Sequence, residues 1–368
     1  MSDFTFDLAT PADDAAIREL LRESAVPGHI TVSYQREPDY FAGCGTMGPF
    51  WQVPVARHLP TGALAGLGCR ALRPLFVNGR VEEVGYLGQL RVATRFQGRW
   101  LLPAAFRFLR SLHDDGRARG YLTTIIAGNE EARGLLVDKP RRHYPTFREV
   151  ASLHTIAILL RRSRGGRASP SEVGWGNRSV LPEIVAFLRE QGAEKQFYPA
   201  YSEEDFVGPL TRGFQLEDLA IVRHGGRIAG VAGLWDQSAY KQSVVRAYSG
   251  TLARQRPLIG AAARLVGMPP LPPPGQPIRL AYASFICIAD NDPATFRILL
   301  RHLCHRAATR GYTFLMVGLA ASDPLLAVAR ESLHVTYRST LYTACWEDGG
   351  SFHEQLDKRI PYVEIASL

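Results

Sequence analysis

The sequence predicts a mixed α/β protein built from two similar halves, on three observations. First, Pro103-Ala104-Ala105-Phe106-Arg107-Phe108-Leu109 recurs as Pro293-Ala294-Thr295-Phe296-Arg297-Ile298-Leu299, and Arg119-Gly120-Tyr121 recurs as Arg310-Gly311-Tyr312. Two matches in one order, with an apolar run after the second in each copy, mark an internal repeat. Second, Asn78-Gly79 and Gly225-Gly226 each stand between β-rich runs, the signal of a two-residue hairpin. Third, 368 residues with 46% apolar and 21% charged content make an ordinary globular chain of two or three domains. Hairpin strands that lead into a strand–helix–strand crossover give a mixed sheet.

Each copy reads as strand, helix, strand, helix, strand. In the first, Val84 to Val92 is an apolar strand. Pro103 suits the first helical turn, where its missing N–H costs nothing, and Phe106, Leu109 and Leu112 follow at helical spacing. Gly116 or Gly120 stops that helix. Leu122 to Ala127 is a buried strand, Glu130 to Val137 a short helix, and Ser152 to Leu160 a closing strand. In the second copy Phe296, Leu299, Leu303 and Ala307 mark the helix and Thr313 to Val317 the next strand. Ser322-Asp323-Pro324 caps a helix ending near Arg330, and His334 to Trp346 is a long alternating strand. The expected organisation is two tandem domains, residues 1–162 and 177–368, each a mixed sheet with helices on both faces. Residues 163–176 form a polar, glycine-containing linker.

Composition and spacing exclude several classes. The five cysteines are widely spaced with no C-x-x-C, which excludes a disulfide framework and the common zinc modules. His302 and His305 share a helix turn without a third ligand, so no metal is expected. Gly43-Cys44-Gly45-Thr46-Met47-Gly48 matches G-x-G-x-x-G, but no strand precedes it and no helix follows, so it is not a dinucleotide site. Net charge is +8, and all but four of the 43 basic residues are arginine. Arginine favours phosphate and carboxylate. The run from Arg161 to Arg167 lacks interleaved aromatics, so nucleic acid is not the expected partner. No run of 18 apolar residues occurs, so no membrane partner is expected. Met1 to Asp7 carries no basic leader, which makes cytoplasm the expected location.

The chemistry concentrates at one junction. Between the strand ending at Val92 and the helix near Pro103 lie Arg95, Phe96, Gln97, Gly98, Arg99, Trp100 and Leu101. A helix start with unpaired N–H groups attracts phosphate, and arginines add charge and fork geometry. The second copy has only Ala289-Asp290-Asn291-Asp292 at this place, so it offers carboxylates where a phosphate would sit.

In this context Arg95-x-x-Gly98 resembles the Gln/Arg-x-x-Gly-x-Gly/Ala signature of the GCN5-related N-acetyltransferases, with Trp100 in place of the final small residue. Leu90-Arg91-Val92 resembles the splayed strand whose backbone pairs with pantetheine in that family. Asn129-Glu130-Glu131-Ala132 resembles its Asn-x-x-Ala helix start. The resemblance implies an acetyl-CoA or other acyl-CoA co-substrate and a small-molecule or peptide amine as acceptor. It also implies a first domain that binds CoA and a degenerate second domain that does not. Proton transfer falls to Glu83 or Tyr86 on the preceding strand as base. The family's usual tyrosine acid corresponds to Leu136 here, which leaves Tyr144 as a substitute. The competing expectation is a non-catalytic binding or interaction protein on the same scaffold.

Overall fold

The structure, a computed structural model, describes residues 3–28, 30–98, 101–138, 143–161, 173–250, 253–256, 258, 260 and 270–368. The first half contains β1 (Phe4–Leu8), α1 (Asp14–Glu23), β2 (Ala25–Val26), β3 (Ile30–Gln35), β4 (Phe50–Gln52), β5 (Pro54–His58), β6 (Leu64–Val77) and β7 (Arg80–Val92). It continues through α2 (Leu101–His113), β8 (Tyr121–Ile126), α3 (Glu130–Leu136) and β9 (Thr146–Leu159). The second half contains β10 (Val173–Trp175), α4 (Leu181–Gly192), β11 (Lys195–Gln196), β12 (Leu219–His224), β13 (Arg227–Trp235), β14 (Gln242–Tyr248) and β15 (Leu280–Ile288). After it come α5 (Pro293–Thr309), β16 (Phe314–Ala320), α6 (Leu325–Ala329), β17 (His334–Cys345) and β18 (Ile360–Pro361). Of the expected linker, residues up to 172 lie outside the described residues, and Val173–Trp175 is a strand paired with β12. Among the described residues no helix is long and apolar enough to cross a membrane.

Both expected hairpins form. Asn78 and Gly79 turn β6 into β7 with φ of 51° and 78°, and Gly225 and Gly226 turn β12 into β13 with φ of 58° and 81°. Positive φ at both central residues matches the right-handed twist of the flanking strands, which is why asparagine and glycine stand there.

The mixed α/β class stands, and the two half-sheets join into one sheet of 13 strands, in the order β1-β5-β6-β7-β8-β17-β9-β16-β15-β13-β12-β10 with β4 beside β6. The join is an exchange of closing strands. β9 of the first half pairs with β16 of the second, from Phe314↔Leu159 to Ala320↔Leu153. β17 of the second half pairs with β8 of the first, from Ser339↔Ile126 to Ala344↔Tyr121. β9 and β17 then pair with each other along their length. A smaller sheet, β14-β3-β2, also mixes the halves.

At the base of β7 and β8, Arg70 is fully buried and forks onto Asp115 at 2.8 Å through both Nη atoms. Its Nε donates to the Tyr121 hydroxyl at 3.0 Å, and that hydroxyl also meets His113 Nδ1 at 2.9 Å. The Tyr121 ring is thereby fixed against Gly85, where a Cβ would lie 2.0 Å from it. Gly85→Ala should lose roughly 1–3 kcal/mol, the usual cost of overpacking, in a urea titration. A variant as stable as the parent would show that the ring is free to move.

Candidate functional site

β7 and β8 run parallel but pair at only two positions, Gly85↔Tyr121 and Tyr86↔Leu122. Beyond Tyr86 they separate. A bulge in β7 accompanies the separation. Cys69 opposes Gly88 and Leu67 opposes Arg91, so Gln89 and Leu90 together face Gly68. Gln89 has φ of 56°, the left-handed region that side chains seldom enter. Its amide anchors it there: Oε1 accepts from the Tyr40 hydroxyl at 2.9 Å, and Nε2 reaches the Met47 sulfur at 3.3 Å. A bulge bends a strand and leaves ladder groups unpaired.

The gap opens on a cavity of about 270 Å³. Leu87 to Val92 of β7 form one wall and Thr123 to Ile126 of β8 another. Leu101, Leu102, Ala105, Phe106 and Leu109 of α2 form the roof. Asn129, Ala132 and Leu136 close the side at α3. No carboxylate, histidine or tyrosine is among the described lining residues, and Arg91 is their one charged side chain. Burial lowers the pKa of Arg91 and raises that of the Cys69 thiol, which lines the same space. Such a cavity suits an uncharged, largely apolar chain.

The sequence candidates fall into four groups. Leu90, Arg91, Val92, Leu101 and Asn129 line the cavity. Arg95, Phe96, Gln97 and Gly98 form the adjoining loop. Within it Thr94–Phe96 is one 3₁₀ turn, the Arg95 guanidinium lies 5.0 Å from the Phe96 ring, and Phe96 is buried. Gly98 has φ of 75°, and a Cβ there would meet nothing within 4 Å. Arg99 and Trp100 lie outside the described residues. Glu83, Tyr86 and Tyr144 are not part of the lining. Glu83 meets Arg117 at 3.4 Å. The Tyr86 hydroxyl shares a hydrogen bond with Thr124 at 2.9 Å, and burial pushes its pKa up to about 12. Tyr144 is buried with its ring 4.3 Å from that of Phe106. Gln89, Tyr40 and Met47 received no role in the site from the sequence, although glycine inside a strand pattern, as at Gly88, is a bulge signal.

The second half keeps both the bulge and the divergence of its strands, but the gap between them is filled. Phe285 of β15 has φ of 58°. β15 and β16 pair at four positions, from Leu280↔Phe314 to Ala283↔Val317. The Phe285 N–H donates to Glu364 Oε2 at 2.8 Å, and the Tyr362 hydroxyl donates to the same oxygen at 2.9 Å. Ile365 packs where a Cβ on Gly318 of β16 would come within 2.2 Å. The segment 362–367 thus fills the space corresponding to the first-half cavity. At the start of α5, Asp292 accepts from Thr295 N at 2.8 Å and Ala294 N at 3.3 Å, so a carboxylate already satisfies the helix N–H groups.

Asn129 caps α3 in the same manner, with Oδ1 accepting from Ala132 N at 3.1 Å. α3 buries no residue, so the cap is a large part of what holds it. Asn129→Ala should cost about 1 kcal/mol. Amide exchange over residues 130–136 should accelerate while β8 stays protected; unchanged exchange in α3 would contradict this.

No protein-family model matches the sequence, and no curated protein matches it. Solved structures do resemble it. N-myristoyltransferase of Saccharomyces cerevisiae with bound myristoyl-CoA is similar at a TM-score of 0.61 and 11% identity, over 94% of this chain and 83% of that one. A GCN5-related N-acetyltransferase from Sphaerobacter thermophilus is similar at 0.55 and 12% identity, over 100% and 99%. A GCN5-related glucosamine N-acetyltransferase region of a fungal multi-domain β-N-acetylglucosaminidase is similar at 0.59 and 12% identity, over 94% of this chain and 38% of that one. These likenesses agree with the separated strands and the strand–loop–helix junction: the chain has the fold of the GCN5-related N-acetyltransferases and of N-myristoyltransferase.

Proposed function

We propose that the protein is a CoA-dependent N-acyltransferase whose acyl-CoA lies between β7 and β8. One observation supports this above others: the first half exposes to its cavity the apolar faces that the second half buries in protein. α5 buries six residues where α2 buries three, and α6 buries four where α3 buries none. An apolar helix face turned onto a cavity is a binding surface for an apolar chain. The similar structures are named as an N-myristoyltransferase with bound myristoyl-CoA and as N-acetyltransferases, which fits this reading.

In this reading the unpaired edge of β7 at Leu90, Arg91 and Val92 holds the pantetheine amides. Gly98 admits the pyrophosphate to the start of α2, where N–H groups and the helix dipole favour anions, and Arg95 adds charge. The acyl group enters the apolar part of the cavity. The amine nitrogen attacks the thioester carbonyl carbon, the C–S bond breaks, and the proton shed by nitrogen ends on the CoA sulfur. A thiol has a pKa of about 8.5, so its anion leaves without help from an acid. The described lining residues supply no base, so in this reading the acceptor amine loses its first proton outside the cavity. The second half does not bind CoA in this reading, because its cleft is filled and its helix start is capped by Asp292.

The absence of a base among the described lining residues favours a second reading, a protein that binds acyl-CoA without turning it over. Thermal shift with acetyl-CoA and longer acyl-CoA, then thiol release against a panel of amines, separates the two. A ligand that binds only the native state raises its melting temperature. Acyl-CoA should raise it, and an amine should release CoA. A shift without release supports the second reading, and no shift with any acyl-CoA overturns both.

Two variants test the placement. Gly98→Asp puts a side chain and a negative charge at a position with φ of 75° and should weaken acyl-CoA binding by about tenfold or more. Asp290→Asn should leave it unchanged; equal losses would remove the site from the first half. Tyr86, held up at about 12 by burial, stays protonated across the neutral range. Tyr86→Phe should therefore leave the pH–rate profile unshifted between about pH 6 and 9. A lost limb in that profile would make Tyr86 the base.

A further inference from the structure

We propose that the acyl group is a hydrocarbon chain of medium length, about six to eight carbons, lying beneath α2 and over β6 and β5. This rests on the reading that acyl-CoA binds between β7 and β8, and it names the acyl class.

The cavity is wider than the gap between those two strands. Past β7 it continues as a wing, whose floor is Phe6 of β1, Pro54 and Ala56 of β5, and Gly66 and Gly68 of β6. α2 packs against β1 and β5 and covers it. Phe6 bounds the wing at the edge of the sheet, with its ring 6.4 Å from that of Phe108 on α2.

Wing and gap differ in chemistry. Beyond Tyr86 the edge of β7 is unpaired on the β8 side, so it can hold amides. Gly66 of β6 is paired on both sides, with Ala56 toward β5 and Val92 toward β7. A strand placed between two others commits its N–H and C=O groups to those ladders. The floor residues carry no polar side chain. Such a surface suits hydrocarbon, since an amide there would lose its hydrogen bonds to water without replacement.

The two glycines of the floor differ. A Cβ on Gly66 would lie 2.8 Å from the Arg91 carbonyl oxygen, so the ladder itself requires glycine there. A Cβ on Gly68 would meet only the Gly88 oxygen, at 4.0 Å, and its backbone is not left-handed. Glycine weakens a strand interior and marks places where another group approaches closely. At Gly68 the group that approaches is the contents of the cavity.

Volume sets the length. A dry cavity of about 150 Å³ accommodates a six-carbon ring. The cavity of about 270 Å³ therefore accommodates roughly eleven heavy atoms. The sulfur, two carbons and nitrogen at the end of pantetheine use part of that, which leaves about six to eight for the acyl chain. An acetyl group falls short of the wing, and a tetradecanoyl chain exceeds it.

Isothermal titration with acetyl-, butanoyl-, hexanoyl-, octanoyl- and tetradecanoyl-CoA tests this. Affinity should rise about two- to fourfold per added methylene up to octanoyl-CoA, the worth of burying hydrocarbon, and should not rise further at tetradecanoyl-CoA. Gly68→Val and Ala105→Leu each put a side chain into the wing, one from the floor and one from the roof. Each should lower the ratio of octanoyl to acetyl affinity by about tenfold or more. Their melting temperatures without ligand report the fold, and Ala105→Leu carries the test if Gly68→Val does not fold. Equal affinity for acetyl- and octanoyl-CoA, affinity that keeps rising to tetradecanoyl-CoA, or a ratio that neither variant moves overturns the proposal and leaves acyl-CoA binding intact. Binding of no acyl-CoA overturns the proposal together with the reading it rests on.

Discussion

The two-residue pairing of β7 with β8 is the constraint from which the rest of the site follows. Strands that continued side by side would fill the space between them with backbone hydrogen bonds. Here the Gly85–Tyr121 contact locks the base of the pair, and the bulge at Gln89 accompanies its divergence. The left-handed backbone of Gln89 is unfavourable in isolation. Two side-chain contacts, from Tyr40 and to Met47, hold it in place. The cavity, the free edge of β7 and the half-exposed face of α2 are consequences of that divergence.

The second half shows what the same architecture does when the space is filled. It retains the bulge, at Phe285, and the helix that follows. Yet Glu364 accepts the bulge amide, Ile365 packs over Gly318, and Asp292 caps the helix. The strand exchange makes the two halves inseparable. β17 completes the sheet beside β8, and β14 pairs with β3. The filled half therefore braces the open one through the shared sheet, while every described residue that lines the cavity comes from the first half.

Much of this was legible in the sequence, for physical reasons. The repeat exposed the pseudo-symmetric helices, because both must bury Phe106 or Phe296 against a sheet. Asn78-Gly79 and Gly225-Gly226 announced hairpins, because few residues tolerate positive φ. Asn129 stood out as the start of α3 by its likeness to the Asn-x-x-Ala pattern, whereas the cap at Asp292 carried no mark beyond its charge. The strand exchange was not legible, since antiparallel partners far apart in sequence leave no local pattern. Glu83 attracted attention as a carboxylate near the right strand, but its register places it upstream of the divergence, beside Arg117.

The central claim is that one half of this chain binds acyl-CoA and the other is closed to it. Isothermal titration with acyl-CoA reads this directly through stoichiometry. The account predicts one site per chain, abolished or strongly weakened by Gly98→Asp. Two sites per chain, or one that persists unchanged in Gly98→Asp, would contradict it.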